Sequence, residues 1–253
     1  MSKLMIINYL IVLCFARAVC VYGIQFWVVN LKKLKNKIYD IDFRKNQLKR
    51  EFWWPLYGEV LDSLFIFLIY ELGILTIAQH ISALELLIYV FAHVFIVEPL
   101  YYWYHRLLHL RVLYKKHHIY HHWSVITSPT TSFTFTFLER ISYSFIFAIP
   151  LICAGLFGYS SLFGMFIYII VFDFCNSIGH LNYEIFPKRY GNSKMRFLFY
   201  TPSFHSQHHT QFHYNYSLFM PIYDKIFKTY FMDSDKIFYR ACEKLPQKHP
   251  KNN

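Results

Sequence analysis

Five stretches of this chain are long and apolar enough to cross a lipid bilayer: residues 4–29, 60–79, 84–103, 141–157 and 159–177. A 20-residue helix is about 30 Å long, the thickness of a hydrocarbon core. Across all 253 residues, 55% are hydrophobic and 21% aromatic, and the apolar residues fall in blocks instead of amphipathic stripes. An ordinary soluble domain is not built this way. The sequence predicts an all-α integral membrane protein. Its expected parts are a four-helix transmembrane bundle of two hairpins, one further N-terminal span, and a cytosolic histidine-rich cap.

The last four spans pair into hairpins whose connectors, near His80 to Ala83 and around Gly158, carry no Lys or Arg. Only Lys3 and Arg17 precede residue 32. The other 24 basic residues lie in 32–50, 106–140 and 188–251, which this topology puts on one side. By the positive-inside rule that side is cytosolic. The net charge of +11 then fits an anionic membrane face, and no nucleic-acid partner is expected. The first span is too long for a signal peptide and shows no small-residue cleavage site, so a retained anchor is expected over 1–30. A basic cytosolic or interfacial linker is expected over 31–55, with Phe52, Trp53 and Trp54 at the interface. A catalytic domain over 56–238 and a polar tail over 239–253 complete the division. The five cysteines form no C-x-x-C pair, which argues against a disulfide framework or a thiolate zinc site.

Eight of the 14 histidines form three clusters: His105-x-x-x-His109, His118-x-x-His121-His122 and His205-x-x-His208-His209. On a helix, spacings of three and four bring side chains to one face. Each cluster follows a span and lies on the predicted cytosolic side. At this histidine frequency H-x-x-H-H should arise by chance only about 0.04 times, so two copies argue for metal ligation over a solvated basic face. His180 emerges on the same side directly after a span and is the expected ninth ligand. Nine imidazoles exceed one tetrahedral zinc and suit two metals of higher coordination number. Imidazole alone does not choose among zinc, copper, nickel and iron; oxygen chemistry would select iron, because zinc has no redox change. Metal transport is disfavoured, since it calls for ligands near the bilayer midplane. His80 and His93 read as hydrogen-bonded core residues, His117 and His213 as neighbours of the clusters, and His249 as part of the polar tail.

Two carboxylates stand where lipid would penalise an unpaired charge. Glu98 precedes His105 by seven residues and Asp173 precedes His180 by seven, so each pair shares a helical face. Both are candidates for orienting a ligating ring and offsetting metal charge. Glu184, four residues after His180, is a further candidate.

The segments EPLYYWYHRLLH from Glu98, HHIYHHWSVITSPTTS from His117, FDFCNSIGHLNYEIFPKR from Phe172 and YTPSFHSQHHTQFHYNYSLFMPIYDKIF from Tyr200 resemble the fatty acid hydroxylase/sterol desaturase superfamily of membrane di-iron enzymes. The likeness covers roughly residues 93–230. It is greatest to the membrane domain of the plant wax proteins that form alkanes by aldehyde decarbonylation. The family's eight box histidines match His105, His109, His118, His121, His122, His205, His208 and His209, and its G-H matches Gly179-His180. The resemblance implies two iron ions, O2 as oxidant, electrons from a cytochrome b5-type donor and a long-chain lipid substrate. It implies residence in the endoplasmic reticulum membrane for a eukaryote and in the plasma membrane for a bacterium. The plant proteins carry a large second domain that this sequence lacks, so hydroxylation or desaturation of a fatty acyl or sterol substrate is expected ahead of alkane formation. A non-catalytic partner subunit is the other alternative. The sequence leaves the oligomeric state open.

Overall fold

The computed structural model describes residues 2–31, 35–41 and 45–245. Residues 32–34 and 42–44 of the expected linker lie outside these, as does the tail from 246 with His249. Among the described residues the regular elements are helices, joined by two isolated β-bridges, Lys37 with Tyr183 and Ala78 with Ser161.

Five helices are long and apolar enough to cross a membrane: α1 (Lys3–Leu31), α3 (Trp54–Glu71, continued backward through α2, Lys45–Glu51), α4 (Ala83–Leu108), α5 (Phe137–Leu156) and α6 (Leu162–Gly179). Their ends have local causes. Ser82 caps α4 by accepting from the Leu84 N–H, and Ser161 caps α6 by accepting from the Gly164 N–H. Pro55 opens α3 at a position whose N–H would be unpaired anyway. Gly73, at φ +70°, turns the chain just past its end.

The expected span 60–79 is therefore displaced: α3 starts earlier and closes at Glu71. The residues after it form a loop in which Ala78 bridges Ser161. His80 lies exposed in that loop and is not the core residue expected of it. The third span, in contrast, runs on past 103 to Leu108 and carries His105 on its last turns. A π turn at His93–Val97 interrupts α4 just before Pro99. Proline supplies no N–H and its ring crowds the carbonyl four residues back; one widened turn relieves both and keeps the helix continuous.

Helix α1 does not stand beside the bundle. It lies along α3 and α6, while α4 lies against α5 and α6. Ile6, Leu10 and Leu13 of α1 share one apolar core with Phe65, Ile69, Leu151 and Met165. Arg17 is buried between the helices, donating to both Asp173 oxygens at 2.6 and 3.1 Å and to Asp62 at 2.9 Å. The same Asp62 accepts from Arg140 and from Ser144. Two arginines and two aspartates thus neutralise one another inside the bundle, which a lone charge in an apolar core could not do.

The cap comes from two segments. The first follows α4 as a short irregular helix: Arg111–Leu113, a π turn Tyr114–His118, then Ile119–His122. The second, after α6, holds α7 (Pro202–Gln211), α8 (Ile222–Ile226) and α9 (Ser234–Cys242). A second apolar cluster, with Tyr101, Phe135, Tyr143, Tyr200, Phe204 and Leu218, joins cap to bundle.

Candidate metal centre

Each histidine cluster is carried by an element that aims it inward. His105 and His109 lie one turn apart at the end of α4. His118, His121 and His122 sit on the irregular helix, where the π turn ends at His118. His180 stands at the C-terminal end of α6. His205, His208 and His209 lie on α7, which Thr201 caps by accepting from the Phe204 N–H and which Pro202 opens. At the same N-terminus the buried Glu184 carboxylate accepts from the backbone N–H and the hydroxyl of Ser203. A negative charge there is favourable to the helix dipole.

The nine rings meet in two adjoining groups. One holds His105, His109, His118, His122 and His208; the other holds His121, His180, His205 and His209. Within each group the candidate donor atoms all lie within 4.8 Å of one another. All the rings are buried except His109, which is half-buried.

Hydrogen bonds fix the tautomers of five rings. The Nδ1–H groups of His105, His180, His208 and His209 donate to the carbonyls of Tyr216 (2.7 Å), Asn176 (2.8 Å), Tyr214 (2.7 Å) and Ser124 (3.1 Å). His118 Nδ1 donates to Glu139 Oε1 at 2.6 Å. A carbonyl, or an ionised carboxylate, can only accept, so the proton is on Nδ1 and Nε2 presents a bare lone pair. Yet His105 Nε2 lies 3.0 Å from His118 Nε2, and the chain of contacts continues to His122 and His208 at 3.1 Å each. His205 Nε2 is 2.9 Å from His180 Nε2. The Nε2 atoms of His109 and His209 are buried with no hydrogen-bond partner.

Protonating the rings does not resolve this crowding. Burial, reinforced by neighbouring rings, holds His109, His118, His121, His122, His205, His208 and His209 well below the usual histidine range, and burial pushes His180 down to about 3. Neutral lone pairs facing one another about 3 Å apart are repulsive by themselves. They become favourable around a cation, since nitrogens about 2.1 Å from one ion lie about 3 Å from each other. The donor set, the fixed tautomers and the unpartnered nitrogens all fit resident metal.

The acidic residues expected beside the rings are engaged elsewhere. Glu98 accepts from the backbone N–H groups of Phe219 (2.9 Å) and Met220 (3.3 Å), fastening the cap to α4. Asp173 is held by Arg17. Glu184 braces α7 through Ser203, and burial raises its pKa to about 7. The carboxylate that does touch a ring is Glu139, on the first turn of α5, for which the sequence offered no spacing signal. His93 Nδ1 bonds the Tyr168 hydroxyl at 2.9 Å, the core role expected of it. His117 and His213 belong to neither group.

A cavity opens onto the second group. His121 and His180 form one end, and its walls descend between the helices along Tyr101, Phe133, Phe147 and Phe172 to Leu151 and Ile169. Arg17, Asp62 and Arg140 border it on one side.

The family model described as fatty acid hydroxylase matches residues 90–229. Protein CER1-like 1 of Arabidopsis thaliana is 41% identical over 228 residues, covering 87% of this chain and 36% of the relative. Very-long-chain aldehyde decarbonylase GL1-5 of Oryza sativa subsp. indica and very-long-chain aldehyde decarbonylase CER1 of Arabidopsis thaliana are each 46% identical, over 149 and 150 residues. Each of these two alignments covers 58% of this chain and 24% of the relative. The chain thus spans between a quarter and about a third of the length of these relatives. No solved structure matches.

Proposed function

Because the chain belongs to the fatty acid hydroxylase family, we propose that it is a multi-pass membrane oxidoreductase in which two iron ions, held by the nine clustered histidines, use O2 to oxidise a C–H bond of a long-chain lipid. Hydroxylation or desaturation of a fatty acyl or sterol substrate is the primary reading. The observation that carries it is the convergence of nine rings in two groups, with the bare Nε2 lone pairs of His105 and His118 only 3.0 Å apart.

In this reading iron would supply dioxygen activation and hydrogen abstraction. The protein's part is positional. The Tyr216, Tyr214, Asn176 and Ser124 carbonyls and the Glu139 carboxylate hold the rings in the ligating tautomer. Aromatic walls of the cavity would hold an alkyl chain with one end at His121 and His180 and keep water away from the reacting carbon. The 24 basic residues after residue 31 fall in the sequence segments expected on one side, which supports a centre on the cytosolic face, within reach of a cytochrome b5-type electron donor. The membrane would be the endoplasmic reticulum in a eukaryote and the plasma membrane in a bacterium.

A second reading has one specific support: two of the similar relatives are named very-long-chain aldehyde decarbonylases. The same centre acting on a long-chain aldehyde would then cleave the bond to the carbonyl carbon, releasing that carbon as a one-carbon product and leaving an alkane one carbon shorter. One experiment separates the two. The protein purified in detergent is assayed for iron, then for oxygen uptake with reductant and either a long-chain fatty acid or a long-chain aldehyde, with products read by mass spectrometry. A hydroxylated or unsaturated product supports the first reading and an alkane one carbon shorter the second. Intact protein with no redox metal and no oxygen uptake would overturn both. His121→Ala should abolish turnover while leaving membrane insertion intact; full turnover in that variant would sink the ligand assignment.

A further inference from the structure

The two ring groups are not equivalent, and three features distinguish them. The first is donor number, five rings against four. The second is charge. Glu139 is the one carboxylate, among the described residues, that hydrogen-bonds a ring of either group, and that ring, His118, belongs to the group of five. Its side chain is fully buried and its Oε2 has no partner. The neighbouring Arg140 turns away to Asp62, and no Lys or Arg pairs with Glu139 among the described residues. Such a carboxylate stays ionised only if a positive charge, such as a metal ion, stands beyond the ring it bonds. The acids nearer the group of four give nothing comparable, because Asp173 is neutralised by Arg17 and Glu184 bonds Ser203. The third is access. The cavity is lined by His121 and His180 of the group of four and by no ring of the group of five.

We propose that the group of five, completed by Glu139, is the tighter metal site, and that the group of four is the weaker one and presents its ion to the cavity. Glu139 acts as a positioning residue: it fixes the His118 tautomer and makes that ring a more basic ligand. A carboxylate behind a ligating imidazole typically changes metal affinity by about 10–100-fold. The group of four has fewer donors and an open side, and so keeps a coordination position for a molecule arriving along the cavity. The inference rests on reading the nine rings as metal ligands.

The test uses the full chain, stripped of metal in detergent, with Co2+ added stepwise and followed by visible absorption and calorimetry. Two successive binding steps are expected. Dodecylamine, an alkyl chain with a donor nitrogen at one end, should shift the spectrum of the protein holding two equivalents and leave that of the protein holding one unchanged. Glu139→Gln keeps an acceptor for the His118 N–H and removes the charge; it should weaken the first step by about 10–100-fold and spare the second. Two indistinguishable ions, or a dodecylamine response after the first equivalent, would overturn the proposal without any variant. Equal weakening of both steps by Glu139→Gln would also overturn it. Failure to bind Co2+ at all would remove the metal reading itself, and this proposal with it.

Discussion

Eight of the nine clustered rings lie outside the spanning helices, and burial keeps all eight neutral in the folded chain. In the unfolded chain they would titrate at about 6.5. Below that pH the unfolded state binds protons that the folded state refuses, so stability falls as pH drops through about 6.5 and is fully retained above it. Each ring contributes a slope of up to about 1.4 kcal/mol per pH unit. The melting temperature of the metal-free protein should vary little above about pH 7.5 and drop steeply between about 6.5 and 5.5. Melting that is unchanged from pH 8 to 5 would contradict the burial of these rings. At this scale the sequence was uneven in what it disclosed. His105, His118 and their fellows could be read because three- and four-residue spacings report a shared helical face. Glu139 could not, since it reaches His118 from 21 residues away and from another element. Asp173 stands two turns before His180, but the partner it finds is 156 residues distant. Pairing across elements leaves no period in a sequence.

Segments between helices set the rings as firmly as the helices do. Asp224 accepts from the N–H groups of Tyr216 (2.8 Å) and Ser217 (2.9 Å) and from the Thr229 hydroxyl (2.7 Å). It thereby fixes the loop whose Tyr216 and Tyr214 carbonyls orient His105 and His208. Asp224→Ala would leave buried donors unpaired at about 1–3 kcal/mol each. The variant should melt lower and carry less metal per chain, by elemental analysis, than the parent; parental values for both would refute this role. Gly179, beside His180, is a second such point. The Tyr200 ring occupies the space a Cβ would take there, and Tyr200 donates to the Cys175 carbonyl at 2.9 Å. Gly179→Ala should displace Tyr200 and His180 together, destabilising the fold by about 1–3 kcal/mol and reducing metal content. Gly179→Ala with normal melting and full metal would show that the contact yields easily. Spans, their number and their type were legible here because lipid-length apolar runs admit few alternatives. Their ends were not: α3, in the second span, starts at Trp54 and stops at Glu71 for reasons of proline and glycine geometry that hydrophobicity does not register.

Across the whole molecule, the charges inside the bundle decide how the helices associate. Arg17→Met would leave Asp173 buried without its partner and Asp62 with one arginine in place of two. Breaking such a buried pair costs about 3–5 kcal/mol. The variant should therefore melt well below the parent in detergent, and a combined Arg17→Met, Asp173→Asn variant should recover part of the loss. No recovery would mean that Arg17 acts through Asp62 alone. The N-terminal span looked like a separable anchor because a single arginine in an apolar run reveals nothing about what will neutralise it.

That arginine also imposes an order on how the polypeptide is made. Arg17 is synthesised with the first span, whereas Asp62 arrives with the second and Asp173 only with the last. A ribosome-bound nascent chain would have only Asp62 to offset this cation until the span carrying Asp173 had emerged. Its first helix should therefore linger at the lipid–water boundary, or under the care of insertion machinery, and settle into register only when the final one is delivered.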